Sequence, residues 1–317
     1  MYTKSIVSFI TVNYNQMEMT LELIESIYKY ATIPFEIIVV DNQSKVNPKE
    51  TINRVYPDVR VIVSGVNRGF AGGNNIGVNV CKGEYLFFIN NDAVLTKDAL
   101  KTMLNTFKKH PKAGIVCPLI CYYPEENATA DIIQYAGATD IHPFTGRNKI
   151  LGEGETDQRQ YRQSKPTFFA HGAAMLVPRK IIEEVGSMSE DYFLYYEELD
   201  WCERIRKAGY TIIFEPTAKI YHKESVSVGP GNPMKTYYLT RNRILFMAMN
   251  RRKEEFLFFA LFLLLVAIPK NILVYLLKGE TTHLRAFIDG ISWHLGRNSK
   301  FQVPISKPQI SKPKMAN

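Results

Sequence analysis

Between Ser5 and Ile120, short runs of β-branched and aromatic residues alternate with longer amphipathic stretches, and nothing else in the chain restricts its fold as much. Ile6–Val12, Glu36–Val40, Val59–Val63, Tyr85–Ile89 and Gly114–Pro118 read as strands. Leu21–Tyr30, Pro48–Tyr56, Asn74–Cys81 and Asp98–His110 read as the helices between them. That alternation predicts an α/β protein with a doubly wound, mostly parallel sheet. The strands agree, because Ile37-Ile38-Val39-Val40 and Tyr85-Leu86-Phe87-Phe88-Ile89 are almost wholly apolar, as strands covered on both faces are.

From Tyr122 to Gln163 the rhythm breaks into scattered Gly, Pro, charges and aromatics, which predicts loops or short antiparallel strands. Order returns with a strand at Ala173–Val177, a helix from Arg179, an acidic aromatic stretch at Tyr192–Arg206, and short strands at Thr211–Phe214 and Ala218–Tyr221. Charge then divides the chain. Residues 1–229 carry 25 Lys and Arg against 27 Asp and Glu, whereas residues 230–317 carry 14 against 4. So basic a C-terminal quarter suits nucleic acid, an anionic membrane surface or a phosphate-bearing substrate.

Within that quarter Phe256–Leu277 is apolar except at Pro269-Lys270-Asn271. As one helix it would rise about 33 Å, enough for a bilayer core of about 30 Å. The Pro-Lys-Asn interruption favours an interfacial or re-entrant helix instead, flanked by Arg251, Arg252, Lys253 and Lys278 at headgroup level; a helix buried against the rest of the chain is the alternative. Residues 301–317, with Ser-Lys-Pro twice, read as a disordered tail. The cysteines, Cys81, Cys117, Cys121 and Cys202, form no C-x-x-C pair and predict reduced thiols in a cytosolic setting. Asn13 and Asn15 interrupt the first apolar run, and no signal peptide is expected.

Open parallel sheets bind ligands beyond the carboxyl ends of their strands. Those ends are polar here: Thr11-Val12-Asn13-Tyr14-Asn15, Asp41-Asn42, Asn67-Arg68-Gly69-Phe70-Ala71-Gly72-Gly73-Asn74-Asn75 and Asn90-Asn91-Asp92. Any one of them alone is better explained as a cap or a turn. Four on one rim predict a site. Neither G-x-G-x-x-G nor a P-loop occurs. Asp41 suits a pyrimidine N–H, Gly72 and Gly73 would let backbone approach a ligand, Arg68 offers a cationic fork, and Asn90-x-Asp92 suits a divalent cation shared with a diphosphate.

These segments, in this order, resemble the family 2 glycosyltransferases of GT-A fold, in particular their rhamnosyltransferase-like branch, over roughly Ser5 to Asn250. The resemblance implies a catalytic domain over residues 1–229, with a nucleotide-sugar half to about residue 120 and an acceptor half beyond it, and a basic, apolar helical extension over residues 230–300 that associates with membrane. Donor binding falls to Thr11, Asn13, Tyr14, Asp41, Asn42, Arg68, Gly69, Gly72, Asn75, Asn90 and Asn91. Asp92 takes the acid position of the D-x-D metal motif, with Asn90 in place of its first acid, and His222 matches a late histidine of the metal site; the cofactor implied is Mg or Mn. Phe193-Leu194-Tyr195-Tyr196-Glu197-Glu198-Leu199-Asp200 resembles the E-D-x-D segment, which makes Glu198 the general base with Glu197 and Asp200 beside it. Taken alone, these acids also fit the solvated face of a helix. Tyr237-Tyr238-Leu239-Thr240-Arg241-Asn242 resembles a Y-Y-x-x-R-N element whose Arg241 would steady a diphosphate. A surface helix with basic residues for the membrane is the other reading.

The implied activity is transfer of a sugar, with inversion, from dTDP-rhamnose or a UDP-sugar to a glycan or lipid-linked acceptor at the cytoplasmic face of the cell membrane. A non-catalytic, membrane-associated nucleotide-binding protein is the alternative, and it would need degraded acidic or metal motifs. A nucleic-acid partner is not expected, because the aromatics lie in an apolar run and not on a basic stripe.

Overall fold

A computed structural model describes residues 7–125, 128–224 and 231–296. The first half builds β1 (Val7–Asn13), α1 (Met17–Tyr30), β2 (Phe35–Asp41), α2 (Lys49–Val55), β3 (Arg60–Val63), α3 (Gly69–Val78), β4 (Tyr85–Ile89), β5 (Ala93–Leu95), α4 (Ala99–Lys109) and β6 (Ala113–Tyr122). The second half adds β7 (Ile133–Tyr135), β8 (Lys165–Thr167), β9 (Ala174–Pro178), α5 (Arg179–Val185), α6 (Glu197–Lys207), β10 (Thr211–His222) and α7 (Pro233–Asn250). The strands join one sheet in the order β3-β2-β1-β4-β9-β6-β10-β5, with β7 beside β6 and β8 beside β10. β3, β2, β1 and β4 run parallel, as do β6 and β10, but β9 enters antiparallel between β4 and β6. The sheet is mostly parallel, as the sequence suggested, with β9 as an antiparallel member at its centre. A strand arriving from the second half of the chain needs no crossover helix to pair antiparallel.

The central strands are sealed on both faces, with Phe87, Ile115, Val116, Met175 and Leu176 inaccessible to solvent. Phe88 meets Trp201 of α6 edge-on at 5.3 Å, so α6 closes one face. Three local expectations change. The helix expected from Asn74 begins at Gly69, because Gly73 and Gly77, four apart on one face, let it lie against β1: a Cβ on them would stand 2.8 Å from Val12 and 2.4 Å from Ile10. The two strands expected at 211–214 and 218–221 are one, with a register shift between Glu215 and Lys219 around Pro216, which cannot donate to the ladder.

Pro269 does not end the apolar helix. Residues Lys253–Leu277 run on as α8 (Lys253–Phe262), a π-helical turn (Leu263–Ala267) and α9 (Ile268–Leu277). The wide turn takes up the missing Pro N–H, and Asn271 Nδ2 donates to Ala267 O at 2.6 Å. By length and composition this is the one helix among the described residues able to cross a membrane. One face (Phe259, Leu263, Ala267) packs on Ile244, Phe246 and Met247 of α7, while Leu257, Phe258, Leu261, Leu264, Leu265 and Leu277 are exposed. The chain then turns back through α10 (Thr281–Ser292), which packs along α7. The tail at 301–317 lies outside the described residues. All four cysteines are free and buried, in keeping with the reduced state expected.

Candidate functional site

The ends of β1 and β2 are locked to each other before any ligand arrives. Asn13 Nδ2 donates to Asp41 Oδ1 at 2.7 Å and Thr20 Oγ1 donates to Asn13 Oδ1 at 3.0 Å. Ser44 donates to Asp41 through Oγ at 2.5 Å and through its backbone N–H at 3.1 Å. The carboxylate is thus held in one orientation. Thr11 is buried beside it with its hydroxyl unpaired, and Tyr14 is exposed at the rim.

Several residues expected to touch the donor are instead engaged by protein. Asn42 donates to Asn67 Oδ1 (2.9 Å) and Gly69 O (3.0 Å) and accepts from Arg68 N (2.9 Å), so it folds the loop before α3. Asn91 turns toward α1, donating to Thr20 Oγ1 at 3.1 Å. Asn75 donates to Met188 O at 2.9 Å, and Arg68 pairs with Glu190 at 3.6 Å. The glycines serve packing: at Gly69 (φ +69°) a Cβ would stand 1.9 Å from Phe193 O, and at Gly72 it would meet Arg68 Cβ at 2.5 Å. Backbone approach at Gly69 is to Phe193 of the 188–193 loop.

At the end of β4 the arrangement changes. His222, at the end of β10, sets Nε2 3.0 Å from Asp92 Oδ1 and 3.3 Å from Asn90 Nδ2, and both Asp92 and His222 are buried. Its Nδ1 lies 2.8 Å from Gln134 Oε1, which accepts a hydrogen bond there when Nδ1 carries the proton. That assigned tautomer turns the Nε2 lone pair toward the Asp92 carboxylate. The pair could hold a divalent cation, with Gln134 orienting the imidazole behind it. A second acidic group, Cys121, Asp131 and Asp157, has its ligand atoms within 4.8 Å of one another. The Lys219 ammonium already lies 2.8 Å from Asp131 and 2.6 Å from Asp157, so a cation is in place there.

His171, which sequence reasoning passed over, bridges the pair to the acids. Its ring centre is 6.1 Å from that of His222, Ala173 N donates to its Nδ1 at 3.1 Å, and burial pushes it down to about 3, so it stays neutral. Beside it, a Cβ on Gly172 would meet the Phe70 ring at 3.4 Å and Glu198 Oε1 at 3.8 Å, which places Glu198 near His171. Asp92, His222, His171 and Glu198 therefore line one continuous stretch at the strand ends.

Glu197 and Glu198 open α6, and the loop that delivers them is strained. Phe193, Tyr195 and Tyr196 all have positive φ (+64°, +68°, +76°), a region non-glycine residues avoid unless their surroundings impose it. Helix α7 imposes it. Asn242 Nδ2 donates to the carbonyls of Tyr192, Leu194 and Tyr195 at 2.7 to 2.9 Å, and Arg241 donates to those of Asp191 and Tyr192. Arg241 is buried between Tyr238 and Trp293, at 5.2 and 4.6 Å. Arg241, expected to steady a diphosphate, holds this loop through Nη2, while its Nε donates to Asn242 Oδ1 at 2.8 Å. Asp200 is likewise a brace, accepting from Arg204 Nε (2.8 Å), Asn250 Nδ2 (2.8 Å) and Tyr192 OH (3.2 Å).

The two glutamates are then left in different states. Burial and the neighbouring Glu198 charge hold Glu197 well above the usual carboxylate range, whereas burial raises Glu198 only to about 7. Burial thus raises both carboxyls, and an adjacent pair so close resists carrying two charges near neutral pH.

The family model of Glycosyl transferase family 2 matches residues 8–186, more than half of the 317 residues. The chain belongs to that family. It is 27% identical over 273 residues to the dTDP-rhamnosyl transferase RfbF of Shigella flexneri, covering 80% of this chain and 86% of that protein. It is 25% identical over 217 residues to the N-acetylglucosaminyl-diphospho-decaprenol L-rhamnosyltransferase of Mycobacterium tuberculosis, covering 62% and 69%. A mannosyltransferase from Pyrobaculum calidifontis, solved with GDP-Man and Mn2+, superposes with a TM-score of 0.56 over 94% of this chain and 77% of that one, at 15% identity. This last likeness is one of fold, and it bears out the GT-A type α/β sheet expected from sequence. The glycosyltransferase is thus rhamnosyltransferase-like in sequence, and its family match ends before the loop and helix that carry Glu197 and Glu198.

Proposed function

We propose that this glycosyltransferase moves a sugar from dTDP-rhamnose or a UDP-sugar to a lipid-linked or glycan acceptor, in a single displacement with inversion. The observation that carries the reading is the sequence of neighbours Asp92, His222, His171 and Glu198, which brings a cation-type donor pair and a carboxylate raised by burial to one end of the sheet. The relatives' names supply the donor and acceptor classes.

In this scheme Asp41, held by Asn13 and Ser44, receives the pyrimidine ring N–H of the donor. Asp92 and His222 would hold magnesium or manganese, which when bound offsets the negative charge gathering on the departing nucleoside diphosphate. Glu198 accepts the acceptor hydroxyl proton as that oxygen bonds to the anomeric carbon and the bond to the phosphate oxygen breaks. Glu197, uncharged beside it, adds no like charge to the forming carboxylic acid. Asn242 and Arg241 fix the 191–196 loop so that Glu198 need not reorganise. One base suffices, unlike the carboxylate pair of glycoside hydrolases. The acids retained at Asp92 and Glu198 speak against a non-catalytic nucleotide-binding protein.

Offering a panel of nucleotide sugars with Mn2+ to the full-length chain and following nucleoside diphosphate release tests this, and a protein that turns over none of them contradicts it. The exposed apolar face of Lys253–Leu277 and the basic residues around it support attachment at the cytoplasmic face of the membrane. Full-length protein should float with anionic phosphatidylglycerol vesicles; protein that stays soluble without detergent and ignores them counts against attachment.

A further inference from the structure

Arg243 of α7 is 5% exposed, yet among the described residues it forms no ion pair and its Nε has no hydrogen-bond partner. Burial holds its guanidinium below the ordinary arginine range; the neighbouring Tyr196 opposes this, and a second cation, Arg147, adds to it. Arg147 too has no ion pair among the described residues, and nearby Asn148 Nδ2 is buried and unpaired. A buried charge left with a like-charged neighbour and no counter-ion is costly, and such a site is retained where an anion completes it.

Both arginines line a cavity of about 340 Å³, together with Asn148, Tyr196, Asn271 and Tyr275. Two features of the surroundings define what would fill it. Tyr196 directly precedes the Glu197–Glu198 pair, so the cavity adjoins the segment that carries the base. Asn271 and Tyr275 belong to α9, the second part of the helix whose outer face is exposed and apolar. The cavity thus joins the acid segment to the apolar helix, and its unmatched groups are donors.

We propose that this cavity binds the diphosphate of a lipid-linked acceptor, with Arg243 and Arg147 as its counter-ions, the lipid chain leaving along the exposed face of Lys253–Leu277 and the sugar end reaching toward Glu198. The assignment rests on the acceptor reading above and gives it a site. Guanidinium groups suit phosphate oxygens through paired N–H donors, which makes two arginines with an unpaired side-chain amide a diphosphate-type set.

The test uses full-length protein in detergent with Mg2+ and a saturating nucleoside diphosphate, dTDP or UDP, so that the donor site is filled. It is titrated with inorganic pyrophosphate and with farnesyl diphosphate. Farnesyl diphosphate should bind the more tightly, and Kd for both should rise at least about tenfold in Arg243→Gln and in Arg147→Gln while nucleoside diphosphate affinity holds. Arg147 is exposed, so Arg147→Gln decides the matter even if Arg243→Gln fails to fold. Equal affinity for the two probes would overturn the lipid source and leave a site for free diphosphate. Absence of binding by the unaltered protein, or unchanged affinity in Arg147→Gln, would overturn the proposal. Failure of the unaltered protein to bind either nucleoside diphosphate would instead strike the sugar-transfer reading.

Discussion

Replacing Glu198 with Gln should lower turnover by about 10²-fold or more while donor binding survives, since the amide keeps size and hydrogen bonding but accepts no proton. Glu197→Gln should stay close to the unaltered enzyme, because a carboxyl held protonated by burial differs little from its amide. The pH dependence follows from the same groups. A base must be ionised, and burial pushes Glu198 up to about 7, so kcat/KM should rise about tenfold per unit as pH approaches 7 from below and level off above it. In Glu198→Gln that limb should vanish from the residual activity. Near-normal turnover in Glu198→Gln, with a folded but inactive Glu197→Gln, would move the base to the neighbouring acid.

Asp92→Ala, or excess EDTA with the unaltered protein, should cost at least about 10³-fold in turnover, as loss of several kcal/mol of charge neutralisation at a leaving diphosphate requires. Arg68 is paired with Glu190, Arg241 is spent on the carbonyls of the 191–196 loop, and Lys223 on Glu22. None of the three is left to replace a divalent ion. Full turnover in EDTA would show that the Asp92–His222 pair has another purpose.

The residues that could be read from sequence are those whose chemistry depends on chain order. Strand ends follow from apolar runs, so Asp41, Asn90 and Asp92 were traceable to one rim. What escaped depends on contacts between distant segments. His171 lies in a stretch without periodicity, and only the antiparallel entry of β9 carries it to His222. Its one sequence signal was a His-Gly pair directly before an apolar strand. Arg241 and Asn42 look like ligand residues because donors satisfied by buried carbonyls and donors awaiting phosphate have the same sequence. Pro269 misled for a related reason: a proline's effect on a helix depends on whether a wide turn and a side chain such as Asn271 absorb it.

The central claim is that one carboxylate and one leaving diphosphate act on a single displacement, and the anomeric configuration of the first-formed product tests it most directly. With an α- or β-linked donor of known configuration, NMR of the new glycosidic linkage should show the opposite anomer. The same anomer as the donor would contradict the single displacement and the role given to Glu198.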